Sequence, residues 1–208
     1  MPKPIPRDPF TFSPPAETTK SHFSASPRAQ EYLQNTELHP FTTEARKPKG
    51  QSTADRLIAN TLATGDTIAA WQSLYKPAKA SGDGNDGKEG ERPYGEAINL
   101  LKIGEGVNGH IDTAHGGFLG TVLDECIGNV GEYERPEGTR TMTAYLNVNY
   151  KRPVPTPSVI IVRAWLDRIE GRKMFGKGVI EDEEGRICVT AETLFLTVKE
   201  IASGKARL

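Results

Sequence analysis

Apolar residues recur at helical spacing between His115 and Gly131, and this pattern predicts one buried helix. They form a single stripe of Phe118, Leu119, Val122, Leu123, Cys126, Ile127 and Val130. The opposite side carries Gly117, Gly120, Thr121, Asp124 and Gly128. Five glycines lie between residues 116 and 131, although each costs about 1 kcal/mol relative to Ala in a helix. We therefore expect a flat helix face that a backbone or ligand approaches closely, with Asp124 on it as a catalytic candidate.

The segments around this helix show the patterns of β-strands. In 139–150, Met142, Ala144, Leu146, Val148 and Tyr150 alternate with Thr141, Thr143, Tyr145, Asn147 and Asn149. The predicted strands are Ala97–Ile103, Thr139–Tyr150, Val159–Ile169, Met174–Glu181 and Ile187–Lys199. Short turns at 170–172 and 183–186 make the sheet antiparallel. One long helix and a sheet of four to six strands predict an α+β domain over residues 94–200.

The first 93 residues and the last eight differ from this domain in composition. Residues 1–50 hold nine of the fifteen prolines, and so Pro-rich a segment buries too little apolar surface to offset its ordering entropy. We expect a partly disordered arm there, with one helical turn at Arg28–Asn35. Ser52 is a candidate N-cap for an accessory helix region over 51–78. A flexible linker at 79–93 and a tail at 201–208 complete the predicted organisation.

Charge and hydropathy exclude several classes of protein. The net charge of −1 and the pI near 6.4 lack the strongly basic character of a nucleic-acid partner. No run of about 18 apolar residues is present, so we expect no membrane span. Without the apolar core of a signal peptide, and with Asp8 and Glu17 near the start, the chain is expected to be intracellular, cytoplasmic rather than mitochondrial. Cys126 and Cys188 lie in apolar runs typical of buried free thiols.

Several motifs together resemble the hotdog-fold thioesterases. His115-Gly116-Gly117, with Asp124 nine residues after the histidine, resembles the active-site helix of the phenylacetyl-CoA-type branch. The strand Thr143–Pro153 is similar to that of the mitochondrial long-chain acyl-CoA thioesterases of the thioesterase-superfamily-member group, and Glu170–Lys173 and Asp182–Gly185 also fit. The resemblance covers about 94–200. It implies an antiparallel sheet wrapped around one long central helix, and an acyl-CoA thioesterase that releases a carboxylic acid and free CoA.

The resemblance also implies a site shared between two protomers of a homodimer or tetramer. Gly116 and Gly117, at the helix start of one chain, would polarise the thioester carbonyl, because unpaired N–H groups there are preorganised donors for an oxyanion. Asp124 of the other chain would act on water as general base or attack as nucleophile. Thr143 matches the hydroxyl beside that acid, and His115 stands at the helix start. No metal or other cofactor is implied.

The same resemblance suggests where the substrate binds. In relatives, two basic segments contact the nucleotide portion of CoA, and the matching candidates are Asn149, Lys151, Arg172 and Lys173. We expect the acyl chain in an apolar slot along the helix near Phe118, Leu123 and Ile127. Relatives often keep an Asn six residues before the motif histidine, whereas this chain has Gly109 there.

Other residues offer competing interpretations. Glu125, about 100° around the helix from Asp124, is the rival acid, whereas Cys126 lies on the apolar stripe, which disfavours a nucleophilic role. His110, Asp112 and His115 are three potential zinc ligands within six residues, but no Cys or distant His completes a set. Gly171–Gly178 is a near-miss to a phosphate loop, because Gly178 replaces the required Ser or Thr.

Two alternative functions stay open at this point. The chain could hydrolyse acyl groups carried by a synthase's phosphopantetheine arm, with little dependence on Arg172 or Lys173. It could also be a non-catalytic acyl-CoA-binding module, which would bind CoA esters without releasing thiol.

Overall fold

A computed structural model describes residues 10–48, 50, 53–78 and 92–199. The strands are β1 (Phe10–Phe12), β2 (His39–Thr43), β3 (Ile68–Lys76), β4 (Glu96–Ile103), β5 (Asn108–His110), β6 (Thr113–Ala114), β7 (Thr139–Tyr150), β8 (Ser158–Glu170), β9 (Lys173–Glu181) and β10 (Ile187–Lys199). The helices are α1 (Glu17–Ser21), α2 (Pro27–Gln34) and α3 (Gly116–Glu134). Short turns of 3-10 helix lie at Glu44–Arg46 and Glu105–Val107, and one π-helical turn at Leu57–Thr61. The predicted tail and nearly all of the predicted linker lie outside the described residues.

Eight strands form one antiparallel sheet in the order β1-β2-β3-β4-β8-β9-β10-β7. β5 and β6 make a separate small hairpin before α3. The five strands predicted from sequence agree with β4 and β7 to β10 within one residue at each end. The remaining three strands come from the N-terminal segment, so the sheet is larger than the four to six strands expected.

Residues 68–76 are a strand, which corrects the helix predicted to follow Ser52. β3 is buried on both faces, with Ile68 and Leu74 among its covered residues. A strand buried on both faces carries apolar residues at successive positions, and its spacing can be mistaken for a helical stripe. Trp71 and Tyr75 are good strand formers, which favours the observed conformation. Only the π-helical turn remains of the predicted helix.

Residues 10–48 fold onto the sheet, which corrects the extended arm expected for this part of the chain. Phe23, Ala29 and Leu38 join a second apolar cluster with Leu100 of β4 and Ile161 of β8, among other residues. The predicted turn at Arg28–Asn35 corresponds to α2. Its start is capped by Ser26, whose hydroxyl accepts a hydrogen bond from the Ala29 N–H, and Pro27 opens the first turn. The N-terminal segment can fold with few apolar residues, because these residues cover a sheet face that is itself apolar.

The main core lies between α3 and the sheet. Leu123 and Ile127 of α3 are fully buried, and they pack against Gly176 and Gly178 of β9. A Cβ atom at Gly178 would lie 3.0 Å from Ile127 Cδ1, and one at Gly176 would overlap Ile127 Cγ2. The glycines of the phosphate-loop near-miss therefore allow the helix to approach the sheet closely.

We predict that Gly176→Ala lowers the free energy of unfolding by about 1–3 kcal/mol, because the added methyl group overpacks a core that cannot move freely. Gly65→Ala is the matched control, since a Cβ there meets nothing within 4 Å, and it should change stability by less than about 0.5 kcal/mol. Denaturant unfolding measures both. Equal stability of the two variants would contradict the close packing of α3 on β9.

Candidate active site

α3 begins at a histidine cap. His115 Nδ1 accepts a hydrogen bond of 2.9 Å from the Gly117 N–H, and the His115 carbonyl accepts one of 3.1 Å from the Leu119 N–H. The imidazole therefore has a structural contact at the helix start. The Gly117 N–H, predicted to meet a thioester carbonyl, is engaged by this cap. Among the described residues, no acceptor lies against the N–H groups of Gly116 and Phe118.

Asp124 and Thr143 are brought together across the helix–strand contact. Thr143 Oγ1 donates a hydrogen bond of 3.0 Å to Asp124 Oδ1. Partial burial raises the pKa of the Asp124 carboxyl above its ordinary value, and the Thr143 hydrogen bond opposes this by favouring the charged form. The result is a half-exposed carboxylate with increased basicity beside a hydroxyl group.

A β-bulge directs Thr143 toward the helix. In the pairing of β7 with β10, Tyr145 faces Leu194 and Thr143 faces Phe195, so Ala144 is an extra residue. Thr143 before the bulge and Tyr150 after it both contact α3. The regular alternation predicted for 139–150 placed these two residues on opposite faces, and the bulge corrects that prediction.

The glycine face of α3 packs along β7. Tyr150 donates a 2.7 Å hydrogen bond to the Gly116 carbonyl, and a Cβ atom at Gly116 would lie 3.2 Å from the Tyr150 ring. Farther along, Val148 lies beside Gly120, and Thr143 binds Asp124. The helix start and Asp124 therefore lie on the same side of α3, the side that packs along β7. At about 1.5 Å per helical residue, Asp124 lies roughly 10 Å along the axis from Gly117.

The three residues of the predicted acyl slot, Phe118, Leu123 and Ile127, are buried against the sheet. Leu123 and Ile127 are fully covered by the sheet, and Phe118 is 9% exposed. The glycines of β9 bring the helix so close that Leu123 and Ile127 contact the sheet directly. Leu123 and Ile127 therefore do not line an open slot within one chain, and the acyl slot stays a prediction.

The four candidate substrate-binding residues fall into two groups at opposite ends of the sheet. Asn149 and Lys151 lie at the end of β7, where the Lys151 N–H donates to the Cys188 carbonyl. Arg172 and Lys173 lie at the start of β9, where the Thr197 N–H donates to the Arg172 carbonyl. Cys188 and Thr197 lie nine positions apart on β10, a span of about 30 Å in a strand. All four side chains are exposed. Within one chain, the two groups are too far apart to bind the same part of a ligand.

Glu125 occupies a second carboxyl environment one position beyond Asp124. Burial raises its pKa to about 7, and the nearby Arg46 charge opposes this shift. Arg46 could not be recognised from sequence, because it lies in the Pro-rich segment and belongs to no motif. Only the fold brings it to α3.

The described residues contain no cluster of three or more His, Cys, Asp or Glu side chains placed to hold a metal ion. His110 and Asp112 lie exposed on the β5–β6 hairpin, while His115 caps α3. Both cysteines are free and buried, as predicted. Complete burial raises the pKa of the Cys126 thiol well above its ordinary value, which disfavours a nucleophilic thiolate.

None of the helices in the described part of the chain is long and apolar enough to cross a membrane.

The region around α3 is similar to known proteins. Residues 112–189 match the family model described as "Thioesterase superfamily". The acyl-coenzyme A thioesterase THEM4 of Mus musculus is 38% identical over 100 residues, which is 48% of this chain and 42% of the relative. THEM4 of Bos taurus is 42% identical over 76 residues, or 36% of this chain and 30% of the relative. The matches thus span less than half of either relative.

A solved structure extends the similarity at the level of fold. Thioesterase HI1161 from Haemophilus influenzae has a TM-score of 0.50 at 16% identity, over 57% of this chain and 80% of that one. Together with the family match and the sheet packed on one long helix, this confirms the predicted hotdog fold of α+β class.

We predict that Thr143→Val raises the pKa of Asp124 further, because it removes a hydrogen bond to the ionised form. Thr143→Ser keeps the hydroxyl group and should titrate like the unmodified protein. Carboxyl-carbon NMR against pH measures the difference. An Asp124 titration unchanged in the Val variant would mean that the hydrogen bond has no influence on the acid.

Proposed function

Because its residues 112–189 match the thioesterase superfamily model, we propose that this chain is an acyl-CoA thioesterase, which hydrolyses a thioester to a carboxylic acid and free CoA. The observation that carries the proposal is the Asp124–Thr143 hydrogen bond on the glycine face of α3. It places a carboxylate of raised pKa next to the edge strand of the sheet. The relatives matched over part of their length are acyl-CoA thioesterases.

Thioester hydrolysis needs a base or nucleophile and donors for the oxyanion of the tetrahedral intermediate. Asp124 takes a proton from water as the water oxygen attacks the carbonyl carbon, and the C–S bond then breaks so that the CoA thiolate leaves and takes up the proton. In the covalent route, Asp124 attacks that carbon itself and expels the CoA thiolate, and water hydrolyses the resulting mixed anhydride. The start of α3 supplies backbone N–H groups and the positive end of the helix dipole to the oxyanion. One such donor is typically worth about 3–4 kcal/mol of barrier. The N–H groups of Gly116 and Phe118 are available, and that of Gly117 becomes so when it leaves His115 Nδ1.

A second copy of the chain completes the proposed site. The roughly 10 Å between the helix start and Asp124 of one chain is too long for both to act on one carbonyl, because reacting atoms lie about 3–3.5 Å apart. β7 is an edge strand with Met142, Tyr145 and Tyr150 exposed, and an open edge favours pairing with another strand. Antiparallel pairing of two β7 strands about a two-fold axis would bring the partner's Asp124 toward the helix start. The proposed unit is a homodimer, and a tetramer would contain two such units.

The same pairing would bring the two groups of candidate substrate-binding residues together. The partner's Arg172 and Lys173 would lie at the end of the joined sheet that carries Asn149 and Lys151. Cations at these positions suit the phosphates of CoA, which bind charged side chains without a fixed motif.

A cytoplasmic location of the protein is likewise part of the proposal.

The test is thiol release from acetyl-, phenylacetyl-, octanoyl- and palmitoyl-CoA by the unmodified protein and by Asp124→Asn. We expect release from at least one ester and a loss of about 10²-fold or more in kcat for the variant, because acid–base assistance is removed. Asp167→Asn is the control, since Asp167 binds Lys177 on the exposed side of the sheet. Release that survives Asp124→Asn would reject Asp124, and no release from any ester would reject the activity.

A further inference from the structure

A second acid of α3 binds a second threonine of β7. Glu132 Oε1 accepts two hydrogen bonds of 2.6 Å from Thr141, one from its backbone N–H and one from its hydroxyl group. The Thr141 methyl group lies against Gly131, since a Cβ atom added there would be 3.5 Å from Thr141 Cγ2. This contact joins the same helix and the same strand as the hydrogen bond between Asp124 and Thr143.

The Glu132 carboxylate is itself fixed at the end of α3. Its Oε2 atom accepts a hydrogen bond from Arg135 Nε, and the Arg135 N–H donates to the Gly131 carbonyl at 2.9 Å. The side chains of Glu132 and Arg135 are only 27% and 22% exposed, so solvent weakens their interaction less than that of a fully exposed pair. Glu132 therefore offers Thr141 an acceptor that is held in one position.

Thr143 lies in a part of β7 that has few other constraints. Among the described strands, only β10 pairs with β7. The extra residue Ala144 interrupts that pairing directly after Thr143. Thr141 precedes Thr143 by two residues, so both side chains point to the same face of the strand. The contact with Glu132 therefore holds the stretch of β7 that leads into the bulge.

We propose that Glu132 is a positioning residue for the hydrolysis: by binding the backbone and the hydroxyl group of Thr141, it holds β7 against α3 and keeps the Thr143 hydroxyl group on Asp124. Glu132 lies eight residues beyond Asp124, about 12 Å along the helix axis, so it acts through the strand and does not touch the reacting atoms. This inference rests on the proposed function, because it concerns the acid assigned there.

The pKa of Asp124 reports whether the Thr143 hydroxyl group stays in place. The Thr143 hydrogen bond favours the ionised form of Asp124 and lowers its pKa. If loss of Glu132 lets β7 move away from α3, this hydrogen bond is lost and the pKa of Asp124 rises. Removal of the Glu132 charge would by itself lower the pKa of Asp124, because a negative charge nearby disfavours ionisation. The direction of the shift therefore separates the two effects.

The experiment is a double-mutant cycle of Glu132→Ala and Thr143→Val, which measures kcat and KM for acyl-CoA hydrolysis and the carboxyl-carbon NMR titration of Asp124. Glu132→Ala should lower kcat about three- to tenfold, the range for loss of one hydrogen bond. It should leave KM unchanged, because Glu132 lies away from the proposed substrate contacts, and it should raise the pKa of Asp124. In a chain that already carries Thr143→Val, the same change should have little further effect on kcat or on the titration.

Two variants of Thr141 and one control complete the design. Thr141→Val removes the hydroxyl group and should act like Glu132→Ala but more weakly, since the backbone N–H still binds Glu132. Thr141→Ser keeps the hydroxyl group and should behave like the unmodified protein. Glu17→Ala is the matched control, because Glu17 also binds a cation three residues later, Lys20 at 2.8 Å, but belongs to α1. It should change neither kcat nor the Asp124 titration.

The outcomes separate this inference from the proposed function. If Glu132→Ala lowers kcat by the same factor with and without Thr143→Val, or if the pKa of Asp124 stays the same or falls, the inference is wrong while the activity stands. If the unmodified protein releases no thiol, the proposed function fails, and the titrations alone decide whether Glu132 controls the Thr143–Asp124 hydrogen bond. Thr141→Val is nearly isosteric, so it provides the test even if Glu132→Ala does not fold.

Discussion

The close packing of α3 against the sheet determines where every group of the candidate site lies. Gly176 and Gly178 of β9 leave room for Ile127 and Leu123, so the helix lies directly on the strands. On its other flank, glycines of α3 allow β7 to run alongside, which brings Thr143 to Asp124 and Tyr150 to Gly116. A larger residue at these contacts would separate α3 from β7, whose Thr143 and Tyr150 hydroxyl groups donate hydrogen bonds to the helix. The same close packing covers Leu123 and Ile127 completely.

The N-terminal segment contacts both faces of the sheet and one flank of α3. On the inner side, Phe10 stacks on Phe41 with ring centres 3.9 Å apart and on Tyr133 of α3 at 4.8 Å. On the outer side, Phe23 is fully buried in the second apolar cluster. Arg46 of the same segment donates hydrogen bonds to the carbonyls of Trp71 and Phe41. The segment thus extends the sheet by three strands and also supplies a charge next to the acid that neighbours Asp124.

Local sequence signals predicted the elements whose structure depends on short-range effects. Strands β8 to β10 could be located because tight turns separate them, and α3 because its apolar stripe continues over several turns. The facing of Thr143 could not be predicted, since the extra residue Ala144 is defined only by the pairing of β7 with β10. β3 was mistaken for a helix because both its faces are buried. Arg46 was missed because its neighbours, Trp71 and Glu125, are brought close only by folding.

The most direct test of a catalytic site shared between two chains is the activity of mixed dimers formed by Asp124→Asn and Gly117→Val. The second variant places a bulky side chain at the start of α3. If each site combines the helix start of one chain with the partner's Asp124, one site of every mixed dimer carries both substitutions and the other carries neither. Thiol release should then return in the mixed dimers, although each variant alone is inactive. Mixed dimers as inactive as the two parents would contradict the shared site.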